Sequence, residues 1–189
     1  LLRSERATGF EFGGLADAGR FGSVRSSYFW TQVNRPIAAV TLSSTPTSTL
    51  LKRENLGQLT SKGVTAEWDV RPSSFLTLTG GYQFAVSTVT KFQADPTLVG
   101  KWTPEVPRNS ASLQARFERK RLGTLAVDLR TSGRQFDDSA NQGRLDGYAQ
   151  MDVYAAHSWG ERGQGECSTW NILDEAGEAG STPSVAVGA

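Results

Sequence analysis

The feature that most constrains this chain is a period of two in its apolar residues, repeated over much of its length. From Leu76 to Val86 the even positions read Leu76, Leu78, Gly80, Tyr82, Phe84 and Val86, and the odd positions between them read Thr77, Thr79, Gly81, Gln83 and Ala85. Side chains that alternate between an apolar and a polar environment belong to a half-buried strand, not to a helix. Val64–Val70, Ala111–Glu118, Thr124–Thr131 and Ala149–His157 repeat the pattern, and Val24–Trp30 carries a weaker copy. The connections alternate as well. Asp17–Gly19, Arg71–Ser74, Arg119–Arg121 and Gly160–Gly165 are short, while Asn34–Leu59, Lys91–Pro107 and Ser132–Gly147 between them are long. In an antiparallel meander successive connections lie at opposite ends, so the short turns gather at one end and the long, polar loops at the other.

Such a layout suits a transmembrane barrel, with tight turns on one side and long loops on the other. A soluble sandwich or ligand-binding barrel competes with it, because alternation alone does not say whether the apolar face points to a protein core or to lipid. Strand length leans toward the membrane: a spanning strand needs about 9–11 residues, and Phe75–Thr90 and Gly147–Trp159 reach that. The aromatic residues Trp30, Trp68, Trp102, Tyr148 and Trp159 fall toward segment ends, where interfacial girdles would lie. Glu67, Asp69, Arg116, Asp128, Arg130 and Asp152 occupy the polar face, which suits a watery lumen or a solvent-facing surface equally.

Composition removes several other classes. Lys and Arg total 20 against 19 Asp and Glu, so nothing in the charge balance points to nucleic acid. A single cysteine and a single histidine exclude a disulfide framework and a cysteine-based zinc cluster. No catalytic constellation is legible, and no cofactor site or metal site. Gly160-x-x-Gly163-x-Gly165 lacks the strand-to-helix context of a phosphate loop. His157 reads as an interfacial residue on the apolar side of its strand, and Cys167 as a packing residue, buried or facing lipid.

Several ordered stretches go further. Asn55-Leu56-Gly57-Gln58, then Ser61-Lys62-Gly63-Val64-Thr65-Ala66-Glu67, Pro72, Leu76, Leu78 and Gly81-Tyr82 resemble a recurring segment in the barrels of TonB-dependent outer-membrane receptors. Thr65-Ala66 separates Val64 from Glu67, a small departure from the family's Gly-Val-Glu strand. Val106-Pro107-Arg108-Asn109 resembles the family's Val-Pro-x-His segment, with Asn109 where histidine is common. Gln135-Phe136-Asp137-Asp138-x-x-Asn141, followed by Leu145 and Gly147-Tyr148, is similar to its Asp-Asp-x-x-Asn loop. Asn171-Ile172-Leu173-Asp174, then Gly180, Thr182 and Pro183, looks like its Asn-Leu-Phe-Asp turn. Ser4-Glu5-Arg6, Phe10-Glu11 and Tyr28-Phe29-Trp30 fit a preceding hairpin.

The resemblance implies an all-β antiparallel meander: residues 1–189 would be a C-terminal portion of the barrel, about eight or nine strands of roughly 22, without the plug domain or the last aromatic-ended strand. It implies a Gram-negative outer-membrane location and contact with outer-membrane lipid. It also implies coupling to the TonB complex through a missing N-terminal region, and import of a scarce, bulky ligand such as a ferric siderophore or cobalamin. A passive porin-like channel and a soluble β-domain remain the alternatives; an enzyme is the least expected class. The loop residues Arg134, Gln135, Asp137, Asp138 and Asn141 are the candidates for ligand contact. The oxygens of Asp137, Asp138 and Asn141 suit Ca²⁺, yet the same residue types shape turns through side-chain-to-backbone bonds.

Overall fold

The computed structural model describes residues 2–45, 48–55, 57–159 and 163–174. Twelve strands follow in chain order: β1 (Arg6–Asp17), β2 (Gly22–Asn34), β3 (Ile37–Thr45), β4 (Ser48–Asn55), β5 (Gln58–Ser73), β6 (Leu76–Lys91), β7 (Asn109–Arg119), β8 (Gly123–Ser132), β9 (Gln135–Phe136), β10 (Arg144–Leu145), β11 (Tyr148–Ser158) and β12 (Gln164–Thr169). Eight of them form one antiparallel sheet in the order β1-β2-β5-β6-β7-β8-β11-β12. Each strand pairs with the next long strand in sequence, as a meander requires. β1 and β12 are the two edges.

Two of the long connections are more structured than their sequences suggest. Asn34–Leu59 reads as a Ser/Thr-rich loop, but it contains the hairpin β3–β4; Ile37–Thr45 supplies the β-branched Ile37, Val40, Thr41 and Thr45, and Ser48–Asn55 pairs back along it. Ser132–Gly147 holds the two-residue ladder β9–β10. No helix among the described residues is long and apolar enough to cross a membrane, which does not bear on crossing by strands.

Register carries the alternation across the sheet. Tyr28 faces Val64, Val64 faces Phe84, Leu78 faces Ala115, Leu113 faces Leu129, and Val127 faces Val153. Paired residues share a side, so these form one continuous apolar face. Its partner face carries Arg25 opposite Glu67, Gln114 opposite Asp128, and Arg130 opposite Gln150. Polar bonds knit that face: Gln114 Nε2 donates to Asp128 Oδ1 at 2.8 Å, and Thr79 Oγ1 donates to Asp69 Oδ2 at 3.2 Å. Arg25, Glu67, Asp69, Gln114, Asp128 and Arg130 line a shallow trough there.

Nothing among the described residues covers the apolar face. Phe12 is 78% exposed, Leu125 45% and Leu113 37%. A sandwich would place a second layer on this side. Among the described residues the core is small and mostly off-centre: Val89, Phe92 and Leu98 form one buried cluster beneath the long loops. Cys167 is exposed, opposite Ala155 on the apolar face. The buried alternative for it therefore fails, because a lone edge strand has no layer to bury it.

Candidate functional site

All short turns lie at one end of the sheet and all long connections at the other. The loop end holds β3–β4 and the segments 92–108 and 133–147, and it carries the five residues singled out from the sequence.

The 92–108 segment folds back on its own strand. Lys101 O accepts from the Val89 amide at 3.0 Å, and the Gly100 amide donates to Val89 O at 2.8 Å. Asp95 opens a single 3₁₀ turn at Pro96–Leu98 by accepting from the Thr97 amide. This places Leu98 against Val89 and Phe92, with Ala140 of the neighbouring loop packed on the cluster.

Asn141 joins the two loops. Its Oδ1 accepts from the Trp102 amide at 2.7 Å, and its Nδ2 donates to Trp102 O at 2.9 Å. An asparagine amide matches a backbone peptide in donor and acceptor, so it completes the Trp102 residue as a third strand would. It does so at φ 57°, a left-handed conformation that asparagine tolerates better than most residues. Asp138 stays within its own loop: its Oδ2 accepts from the Gln142 amide at 2.9 Å and from the Gly143 amide. Gln135 is buried, and so is Ser139. Asp137 lies in the same turn, where its amide donates to Gly143 O.

Arg134 is the exposed member of the set. Its guanidinium lies 6.0 Å from the Trp102 ring centroid, and that of Arg108 stacks on the same ring at 3.3 Å. Phe136 meets Trp102 edge-on at 5.4 Å. Burial, and then the Arg134 charge, hold the Arg108 guanidinium below its usual range. Two cations therefore share one indole, a positive spot that suits an anionic group.

The structure thus brings all five candidates into one loop and separates their surroundings. Arg134 is open to solvent, Gln135 is enclosed, and the Asp138 and Asn141 side chains are committed to backbone. Among the described residues no group of three or more histidine, cysteine or acidic side chains is placed to hold a metal. Trp102, expected in an interfacial girdle, instead sits half-buried at the centre of the loop end. Sequence reading passed over Arg108 as a contact residue; its place in Val106-Pro107-Arg108-Asn109 was the available signal, but stacking on a ring six residues back leaves no periodic trace.

Asn55 repeats the device of Asn141. Its Nδ2 donates to Arg3 O and Arg35 O at 2.9 and 2.8 Å, and its Oδ1 accepts from the Arg3 amide at 2.7 Å. The turn after β12 is also tied down: the Asn171 amide donates to Asp152 Oδ1 at 2.8 Å, and the Ile172 amide to Met151 O at 2.8 Å. Gly180, Thr182 and Pro183, which complete that sequence pattern, lie outside the described residues.

Comparison with known proteins adds the following. Residues 1–172 match the family described as TonB dependent receptor-like, beta-barrel. No curated protein sequence matches the chain. The ferric yersiniabactin uptake receptor FyuA from Yersinia pestis is similar in structure, with TM-score 0.74 and 19% identity over 96% of this chain and 27% of that one. The siderophore receptor PiuA from Acinetobacter baumannii gives TM-score 0.76 and 17% identity over 92% of this chain and 25% of that one. The ferric preacinetobactin receptor BauA from Acinetobacter baumannii gives TM-score 0.70 and 20% identity over 90% and 26%. At these identities the likeness establishes the fold. The chain spans about a quarter of the length of those receptors.

Proposed function

The chain belongs to the TonB-dependent receptor-like β-barrel family, and from that premise we propose that it supplies wall and long loops to an outer-membrane importer. The cargo would be a scarce, bulky ligand such as a ferric siderophore or cobalamin, moved with energy delivered by the TonB complex. Members of this family are outer-membrane proteins of Gram-negative bacteria, and the similar solved structures are transport receptors.

One observation carries the proposal: an uncovered apolar face and a charged face run together through eight strands, with every long loop at one end. Lipid satisfies the first face and a watery lumen the second. Backbone groups within the sheet pair with neighbouring strands, as hydrocarbon demands. The open edges at β1 and β12 have no such partner among the described residues, and these 189 residues by themselves are not expected to transport. Arg134 is the preferred ligand contact, because it is exposed and its charge adds to that of Arg108 beside Trp102.

The test is uptake by cells producing the full receptor, given ferric citrate, ferric catecholate, ferric hydroxamate or cobalamin, with the proton gradient intact or collapsed. Uptake of one class that stops with the gradient supports the reading. Gradient-independent passage of small solutes would favour a passive channel, and no uptake of any probe would sink the proposal.

A further inference from the structure

The turn end carries a feature that ligand import does not use. The β7–β8 turn runs from Arg119, the last residue of β7, through Lys120-Arg121-Leu122, closed by a bond from the Leu122 amide to Arg119 O at 3.0 Å. It is tied to the adjacent β5–β6 turn, because the Glu118 amide donates to Phe75 O at 2.9 Å. Arg119 pairs with Gly123 and Phe117 with Leu125, so Arg119 and Phe117 share the apolar face. The Arg119 guanidinium lies 4.2 Å from the Phe75 ring centroid and 5.9 Å from that of Phe117. Those two rings meet edge-on at 5.4 Å. Glu118 points to the opposite face, where it pairs with Arg116 at 3.2 Å. Among the described residues Arg119, Lys120 and Arg121 make no ion pair.

A cation held at the margin of an apolar face, over aromatic rings, with two more beside it and no carboxylate among the described residues paired to them, fits one environment. That is the boundary between acyl chains and anionic headgroups. On the same face and at the same level, His157 meets Trp159 edge-on at 5.1 Å. We propose that the β7–β8 turn, with Phe75 and Phe117, binds the phosphate of an anionic phospholipid headgroup in the leaflet on the short-turn side. The rings set the depth, and Arg119, Lys120 and Arg121 supply the charge that holds the phosphate. The proposal rests on the apolar face being lipid-facing and is independent of which ligand, if any, is imported.

The experiment uses the full chain purified from outer membranes in mild detergent, with phosphatidylglycerol and phosphatidylethanolamine competing as probes and bound lipid counted by native mass spectrometry. The unaltered protein should prefer phosphatidylglycerol. Arg119→Gln, Lys120→Gln and Arg121→Gln together should weaken that preference roughly tenfold or more, each cation near a charged membrane surface contributing a few-fold. Arg119→Lys, which keeps the charge, should stay within about threefold. Retained preference in the triple variant, or none in the unaltered protein, would overturn the proposal. So would an equal loss in Arg119→Lys, which would make Arg119 a packing residue. Inorganic phosphate at millimolar concentration should not displace the lipid; if it does, the turn is a free-anion site and the headgroup assignment fails. Failed ligand uptake with intact lipid preference would count against the transport reading alone.

Discussion

At the loop end, Val89, Phe92 and Leu98 are 3–5% exposed beneath folded-back segments; at the turn end, Leu122 and Trp159 stand 64% and 60% exposed. The same sheet connects them. The loop end hides apolar residues behind protein, as a water-soluble domain does, and closes its backbone with asparagine amides. The turn end leaves aromatic and aliphatic groups bare and sets cations beside them. The difference matches the proposed placement: loops in water need their own small core, whereas residues facing lipid would need none.

The comparison breaks most severely at Phe92. Phe92→Ala should remove about 3–4 kcal/mol of packing from the loop cluster. Limited proteolysis should then cut within 92–108 or 133–147 while β5–β8 keep their protection; protection lost evenly throughout would mean the two ends are not independent. Next comes the pair Leu113→Arg and Gln114→Arg, adjacent in mid-β7 on opposite faces. On the apolar face a cation near the bilayer midplane should cost about 2–4 kcal/mol, and on the polar face clearly less, because water there solvates it. Denaturant titration in lipid vesicles measures both, and the reverse order would return the soluble sandwich.

A smaller effect is expected at Asn141. Asn141→Ala removes two bonds to Trp102 at a left-handed residue and should weaken the loop end by about 1–3 kcal/mol. Asn141→Gly keeps the backbone freedom, so its smaller loss isolates the amide contribution. Hydrogen exchange at Trp102 is the readout. Least is expected from Arg116→Gln, because the pair with Glu118 is exposed on both sides, and such pairs contribute at most about 1 kcal/mol. A larger shift in midpoint would show that the polar face is enclosed.

Much of the architecture was legible in the residues themselves. Leu76 to Val86 marks a strand and its two faces, because side-chain alternation is a property of four or five consecutive residues. The order of short and long connections marks a meander, because an antiparallel chain must reverse ends at each one. The Ser/Thr-rich stretch between Asn34 and Leu59 was harder, since its β3–β4 hairpin lacks a clean apolar face. Among the site candidates, the sequence located the loop of Arg134, Gln135, Asp137, Asp138 and Asn141 without distinguishing their surroundings.

That distinction needed the tertiary structure. Asn141 reaches Trp102 across 39 positions, Arg108 and Arg134 meet on the same indole from different loops, and Arg119 rests on Phe75 from a different hairpin. Such contacts join residues far apart in sequence and repeat with no period. The strands and faces followed from local chemistry; the buried loop core, the paired arginines and the cation over the turn-end rings came only from chain segments brought together in space.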